Sequence, residues 1–229
     1  MKKILYSVAL AACCMGTMTS CSDFLDASNK SNVTAKQSFA TKEGLNNLVN
    51  NAYQHLQNVY AAPLFTSCFS AGTDMYADAR NKMNEALNTY ETLTPENTDI
   101  KNLYTYLYSG IRAANSVSYY AQTAQVDDKT KGQLVGEARV LAAYEYYLLV
   151  NNFGGVPIMK DFLTTADTGY PKSSATDVYA YIISELEDVI SKNVLQASTA
   201  TKGGGRISQE TAKAILAKTY LSAAWDLNK

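Results

Sequence analysis

The segment between residues 61 and 97 holds aromatic, acidic, basic and amide side chains close together along the chain. These residues are Asp74, Tyr76, Asp78, Arg80, Asn88 and Tyr90. An aromatic ring can stack on the C–H face of a sugar, while carboxylate, guanidinium and amide groups hydrogen-bond its hydroxyls. The segment therefore predicts a ligand site of carbohydrate type. The residues that we assign to it are Asp74, Tyr76, Arg80 and Tyr90.

Glu137 and Glu145 lie on one face of a strongly apolar predicted helix, with Arg139 close by. Two carboxylates on one face could indicate general acid–base chemistry. A charge on a buried helix more often pairs with a neighbouring helix or loop, and we favour this structural role. A glycosidase would need two carboxylates facing each other across a cleft, about 5 to 10 Å apart, and the sequence identifies no such pair.

Residue counts exclude other catalytic and metal-binding sets. His55 is the single histidine, so a site with several histidine ligands is impossible and a histidine-based triad would depend on this residue alone. Cys68 is the only cysteine after residue 21, which provides neither a disulfide framework nor a cysteine zinc site. The glycine-rich stretch TKGGGRIS lacks the Gly-Lys-Ser/Thr ending of a phosphate-binding loop. No cofactor is expected.

The first 21 residues have the pattern of a lipoprotein signal. Two lysines precede an apolar run that ends at Met18, and this run is too short to span a bilayer, since a spanning helix needs about 20 apolar residues. The motif TSC, which ends at Cys21, resembles a bacterial lipobox, in which the cysteine is lipidated and becomes the first mature residue. We predict lipidation at Cys21. An ordinary secreted protein is the alternative, because lipoboxes usually carry leucine where Met18 stands.

Overall charge and aromatic composition narrow the choice of partner. The formal net charge is −1 and no basic cluster occurs, which argues against nucleic-acid binding. The chain has 17 tyrosines against 6 phenylalanines and 1 tryptophan. Because tyrosine combines an apolar face with a polar tip, this bias suits positions that stay partly in contact with water.

Apolar spacing predicts that most of the chain after residue 41 is helical. The first helix is predicted over residues 42–60, with Thr41 as its cap. The irregular segment is predicted as loop with a short helix near residues 82–87. Four clearer helices are predicted over residues 102–120, 132–153, 177–192 and 208–225, with Ser174 and Ser208 as caps of the last two.

These four helices form two pairs, over residues 103–153 and 177–225, with small residues that permit close backbone approach. Such pairs are typical of tetratricopeptide-like structure. The insertion GGVPIMKDFLTTADTGYPKSSAT separates the pairs and is too long for a plain repeat. The predicted fold class is all-α, with tetratricopeptide-like helical pairs and irregular loop insertions.

Several motifs closely resemble those of the SusD-like (RagB/SusD) outer-membrane lipoproteins of the Bacteroidetes. GEARVLAAYEYYLLVNNFGGVPI resembles the family's hallmark, which has a Gly-Glu-Ala-Arg start, a tyrosine-rich apolar helix and a Phe-Gly-x-Val-Pro end. YSGIRAANSV resembles the preceding helix, GRISQETAKAILAKTYLSAAW a later helix, and SCSDFLD the lipidated start. The resemblance covers nearly the whole chain, in order.

This resemblance implies an α-helical, tetratricopeptide-like protein on the cell surface, held in the outer membrane by a lipid on Cys21. It implies binding of a nutrient, usually a polysaccharide or oligosaccharide, and delivery to a SusC-like TonB-dependent transporter, without catalysis. The matching motifs are structural, so Cys21 is the one functional position that carries over. A tetratricopeptide-like scaffold that binds protein and no small ligand is the alternative from another class.

The predicted domain organisation follows from these motifs. Residues 1–20 form the lipoprotein signal peptide, residues 21–40 a linker, and residues 41–229 a SusD-like N-terminal α-helical domain. Because family members are typically about twice as long, we expect a truncated or split version of a longer protein, or a short paralogue.

Overall fold

A computed structural model describes residues 34–61, 64–76, 85–165, 169–198 and 205–228. Contacts divide the chain into two units, Met1–Ala35 and Lys36–Lys229. Thr34 and Ala35 are the described residues of the first unit, and the structure below is that of the second. The predicted signal peptide and the lipidation site at Cys21 lie outside the described residues.

Within the described ranges the secondary structure consists of eight α-helices without a strand. The helices are α1 (Ala35–Ser38), α2 (Lys42–Tyr60), α3 (Leu64–Phe69), α4 (Glu85–Thr89), α5 (Thr98–Ala121), α6 (Asp128–Phe153), α7 (Ala175–Lys192) and α8 (Gln209–Leu227).

The three side chains that were predicted as caps each begin a long helix. The hydroxyl of Thr41 accepts a backbone N–H in the first turn of α2 at 3.1 Å. The hydroxyls of Ser174 and Ser208 accept equivalent N–H groups at the starts of α7 and α8, at 3.1 and 3.2 Å. Each cap satisfies an amide that has no partner within its helix, which explains why these helices begin within one or two residues of the predicted starts.

The long helices pack in chain order around one apolar core. α2 packs on α5, α5 on α6, α6 on α7 and α7 on α8, while α2 and α8 also contact α6. α6 is therefore enclosed on several sides, and its Val140, Leu141 and Leu149 are almost fully buried. A helix that is apolar around most of its circumference requires such an enclosed position. The predicted all-α class with tetratricopeptide-like pairs and irregular insertions is confirmed.

Two helices in the irregular segment differ from the prediction. Residues 64–69 form α3, whereas the sequence predicts a loop there. The short helix predicted near residues 82–87 is found at Glu85–Thr89 within the described residues. Both helices are shorter than two turns, and helices of this length depend on tertiary packing because isolated ones are marginal.

The turn after α6 fixes the insertion against the start of α7. Gly154 ends α6 with a φ of 68°, in the left-handed region that glycine adopts most readily. Gly155 lies close to the residues that precede α7. A Cβ on Gly155 would lie 2.2 Å from the carbonyl oxygen of Ser173. The N–H of Ser173 donates to the carbonyl of Val156 at 3.2 Å. This close packing joins the two ends of the insertion between α6 and α7.

Candidate functional site

Tyr90 lies in the wall of a cavity of about 400 Å³, here called the Tyr90 cavity. α3, the residues around α4, the first turns of α5 and the end of α6 surround it. Its polar and aromatic lining includes Ser67, Cys68, Tyr90, Asn151, Asn152 and Phe153. Leu87, Leu93 and Leu103 supply apolar surface. A volume of this size is in the range of small-molecule sites.

Tyr90 has an unusual backbone conformation, with a φ of 63°. It directly follows α4, and its N–H donates to the carbonyl of Ala86 at 3.0 Å. Glycine or asparagine commonly occupies the left-handed position at a helix end, whereas a bulky side chain there is strained. Tyr90 is nevertheless 58% exposed, so burial does not compensate for the strain.

Gly72 provides the space for the Tyr90 ring. A Cβ on Gly72 would lie 2.3 Å from the Tyr90 hydroxyl oxygen and 2.7 Å from its Cζ. Gly72 itself has a φ of 73°, and its N–H donates to the side-chain oxygen of Asn88 at 3.4 Å. The irregular segment therefore folds back on itself and brings the turn at residues 70–76 against Tyr90.

The four predicted site residues fall in different places. Tyr90 lines the cavity, whereas Asp74 and Tyr76 lie on the neighbouring turn and do not line it. Tyr76 is 36% exposed, and its N–H donates to the carbonyl of Thr73 at 3.3 Å. Arg80 lies outside the described residues. The ligand-binding role of all four remains a prediction.

The lining of the Tyr90 cavity also contains two amide side chains that the sequence motifs do not identify. The side-chain nitrogens of Asn151 and Asn152 donate to carbonyls in the preceding turn of α6, at 2.6 and 2.7 Å. Their side-chain oxygens accept no hydrogen bond from a described residue. An aromatic ring with nearby amide oxygens offers both a stacking face and acceptors for hydroxyl groups. The sequence feature that could have indicated these residues is the Asn-Asn pair at the end of the apolar helix.

The thiol of Cys68 does not provide this cavity with a strong nucleophile. Burial, with a smaller contribution from the charge of Asp99, raises the pKa of Cys68 to about 11. The thiolate is the reactive form of cysteine, and this thiol is protonated at neutral pH. Cys68 is therefore part of the cavity wall, with the character of a small hydrophobic residue.

Glu137 has the structural role favoured from the sequence. Its side chain is fully buried, and its Oε2 lies 2.6 Å from Nε of Arg206. The Tyr53 hydroxyl donates to the same oxygen at 3.1 Å, and Nε2 of Gln133 donates to Oε1 at 3.1 Å. A fully paired and buried carboxylate stabilises the packing of α6 and has no access to a substrate.

Glu145 and Arg139 also contact neighbouring helices, as expected of residues with a structural role. Both carboxylate oxygens of Glu145 are buried without a hydrogen-bond partner, and burial raises its pKa well above the usual value. Its carboxylate packs against Gly110 of α5, where a Cβ would lie 1.7 Å from Oε1. Arg139 donates to Glu185 at 2.7 Å and to Asp188 at 2.5 Å, both on α7. Neither glutamate on α6 lines the Tyr90 cavity.

Within the described ranges, no cluster of three or more histidine, cysteine, aspartate or glutamate residues has an arrangement that would hold a metal ion. None of the described helices combines the length and apolar character needed to cross a membrane.

The packing of long helices in pairs defines an all-helical protein of tetratricopeptide-like architecture. Residues 23–221 match the sequence profile of a SusD-like family described as "Starch-binding associating with outer membrane". The chain belongs to this SusD-like family. The family membership that the motifs predict is thereby confirmed.

Two curated relatives are similar over part of their length. The chain is 28% identical to SusD-like protein P38 of Formosa agariphila over 190 residues, which are 81% of this chain and 36% of that protein. It is 27% identical to a SusD-like protein of Bacteroides ovatus over 139 residues, which are 58% of this chain and 24% of that protein. The chain therefore matches about a third or less of the length of these relatives.

Solved structures have the same helical arrangement. The surface glycan-binding protein A from Bacteroides uniformis is 26% identical, with a TM-score of 0.66 over 77% of this chain and 41% of that one. A laminarin-binding SusD-like protein has a TM-score of 0.67 at 23% identity, over 77% of this chain and 39% of that one. The second comparison supports the fold alone.

Proposed function

We propose that this chain captures a glycan in the Tyr90 cavity at the bacterial surface, without catalysis. The observation that carries this proposal is the left-handed backbone of Tyr90 beside a cavity with amide acceptors. Strained residues cluster at ligand-binding and catalytic sites, because elsewhere a less strained residue would give a more stable protein. The family's description as starch-binding, and the names of the glycan-binding and laminarin-binding structures, support the same ligand class.

The full proposal includes an anchor and a partner. Cys21 carries a lipid that holds the protein on the outer membrane, after removal of residues 1–20, and residues 21–40 link it to the helical domain. The helical domain, residues 41–229, passes its polysaccharide or oligosaccharide to a SusC-like TonB-dependent transporter. The family's association with the outer membrane supports this location, and multiple acyl chains would give a stable hold.

Affinity electrophoresis of the full chain through gels containing different neutral polysaccharides tests glycan capture. We expect at least one polysaccharide to retard the protein, and Tyr90→Ala to lose most of this retardation. Tyr220→Ala is the matched control, because Tyr220 is 46% exposed on α8 and does not line the cavity. Equal loss in both variants would contradict a site at Tyr90.

Co-purification tests the proposed transfer to a transporter. If no SusC-like transporter co-purifies with the chain, that result would contradict the proposed transfer.

A second candidate function, a scaffold that binds protein, is favoured by the surface of α8. Leu221 and Trp225 are each 73% exposed there, and such large apolar side chains are common at protein interfaces. This function predicts that Leu221→Ser combined with Trp225→Ser abolishes co-purification with a protein partner while glycan retardation persists. Unchanged co-purification would remove the second candidate.

A further inference from the structure

A second concave surface, here called the aromatic groove, lies between α5 and the segment that follows α6. It has a volume of about 460 Å³, and its lining includes Tyr104, Tyr108, Arg112, Pro157, Met159 and Tyr170. The first three of these residues follow each other at four-residue spacing along α5, so they lie on one helix face. The ring centroids of Tyr104 and Tyr108 are 4.7 Å apart. Tyr104 and Tyr108 therefore form an aromatic wall of the groove next to Arg112.

Hydrogen bonds fix the two sides of the aromatic groove relative to each other. The Tyr108 hydroxyl donates to the carbonyl of Pro157 at 2.7 Å. The side-chain nitrogen of Asn115 donates to the carbonyl of Met159 at 2.9 Å, and the N–H of Met159 donates to the Tyr146 hydroxyl at 2.7 Å. The segment is thus tied to both α5 and α6, and a preformed groove reduces the entropic cost of binding a ligand.

Arg112 differs from the other arginines that the structure describes. Arg206 binds Glu137, and Arg139 binds two carboxylates of α7. Arg112 is exposed and forms no ion pair with a described carboxylate. Its guanidinium carbon lies 5.4 Å from the ring centroid of Phe162, a cation–π contact that orients the side chain. No acidic residue is among the described residues that line the groove.

We propose that the aromatic groove binds an anionic sugar, with Tyr104 and Tyr108 against the ring and Arg112 on its carboxylate or sulfate. The planar guanidinium offers two parallel donors, which match the paired oxygens of a uronate carboxylate or of a sulfate ester. The tyrosine rings provide the apolar face on which a pyranose ring stacks. The inference rests on the proposed capture of glycans and assigns a ligand class to a second site.

The aromatic groove and the Tyr90 cavity are neighbours with separate linings. Phe153 lines the Tyr90 cavity, and its ring meets Tyr104 edge-on with centroids 5.2 Å apart. These two rings form a wall between the sites. A substitution of Tyr90 can therefore remove one site and leave the other intact.

Isothermal titration calorimetry on the full chain tests the inference with three probes of equal length. These are a trigalacturonate, a sulfated galactose trimer and a neutral galactose trimer. We expect the affinity for at least one anionic trimer to be at least about tenfold higher than that for the neutral trimer. Charge-assisted hydrogen bonds are stronger than hydrogen bonds between neutral groups. The preferred anionic trimer identifies carboxylate or sulfate as the recognised group. Raising the ionic strength from about 0.05 to about 0.5 M should weaken this preference.

Arg112→Gln should abolish the preference for the anionic trimer, whereas Lys101→Gln should leave it unchanged. Lys101 is an exposed residue of α5 outside the groove lining, so this control removes the same charge without touching the site. A circular-dichroism melt of each variant confirms that it remains folded. Equal affinity for all three trimers, or an unchanged preference in Arg112→Gln, would overturn the inference.

Tyr90→Ala separates this inference from the proposed function. Retained anionic binding together with lost neutral-glycan binding supports both sites. Neutral-glycan binding that depends on Tyr90, with no anionic binding, overturns the groove inference alone. Anionic binding that depends on Arg112, with no neutral binding, supports the groove and contradicts capture of a neutral glycan at Tyr90.

Discussion

Nε of Arg206 lies 2.6 Å from Oε2 of Glu137, and this carboxylate is fully buried between helices. The pair joins two of the motifs that carry the family resemblance, GEAR at α6 and GRIS before α8. Tyr53 of α2 completes the junction, because its hydroxyl donates to Glu137 and accepts the N–H of Ile207 at 2.7 Å. One side chain of α6 thereby holds the chain before α8 against α2.

Arg206→Met is expected to destabilise the protein strongly, because it leaves the Glu137 charge buried without its main partner. Removal of one member of a buried pair typically costs about 3–5 kcal/mol. Arg139→Met is the matched control. Its guanidinium has similar exposure, but its partners Glu185 and Asp188 are partly exposed, so the cost should be about 1 kcal/mol or less. Urea unfolding measures both, and equal losses would contradict the structural role of Glu137.

Glu145 is expected to make stability fall as pH rises. Burial raises the pKa of Glu145 well above its usual value, so the folded protein keeps a proton that the unfolded chain releases. The stability from this group is fully present below the unfolded pKa and is lost as pH rises through the folded pKa. The slope is at most about 1.4 kcal/mol per pH unit.

Glu145→Gln should remove this part of the pH dependence, since glutamine does not titrate. Urea unfolding between about pH 5 and pH 8 should show the variant gaining stability relative to the natural chain as pH increases. Glu91→Gln, at an exposed position, controls for the general effect of a Glu-to-Gln substitution. A Glu145→Gln curve parallel to that of the natural chain would show that Glu145 is not protonated in the folded state.

Tyr90→Asn is expected to raise stability by about 1 kcal/mol, because asparagine adopts the left-handed region at lower cost. The same variant should lose glycan binding, since the ring is removed from the cavity. Tyr90→Phe is the control that keeps both the ring and the strain, and it should retain most of the binding. Thermal melts with binding isotherms check both properties, and a stabilised variant with full binding would show that the strain has no functional purpose.

Cys21→Ala is expected to abolish incorporation of a radioactive lipid precursor in growing bacteria. Cys68→Ala is the matched control and should keep the label, because Cys68 lies far from the lipobox-like motif that ends at Cys21. Label that survives Cys21→Ala would exclude this cysteine as the lipid attachment point.

The fold was largely predictable because local signals and packing agree. Thr41, Ser174 and Ser208 are capping residues directly before apolar periodic stretches, and the structure uses all three as caps. α3 was missed because its six residues, LFTSCF, have too few turns to show a helical period. Its position depends on contacts with α5 and α2, which the sequence does not reveal.

The candidate site was only partly predictable for a related reason. Tyr90 was singled out by the polar residues around it, but Asn151 and Asn152 enter the same cavity from α6, far along the chain. Their types signal only the end of a helix. The strain at Tyr90 depends on how α4 ends, so it could not be inferred from composition.

Titration calorimetry of the full chain with neutral oligosaccharides tests the central proposal most directly. The protein should be kept in a detergent without a sugar head group, so that the detergent does not compete. Glycan capture predicts saturable binding of at least one oligosaccharide that Tyr90→Ala weakens about tenfold and Tyr220→Ala leaves unchanged. Binding of equal strength in Tyr90→Ala, or no binding of any oligosaccharide by the folded natural chain, would contradict it.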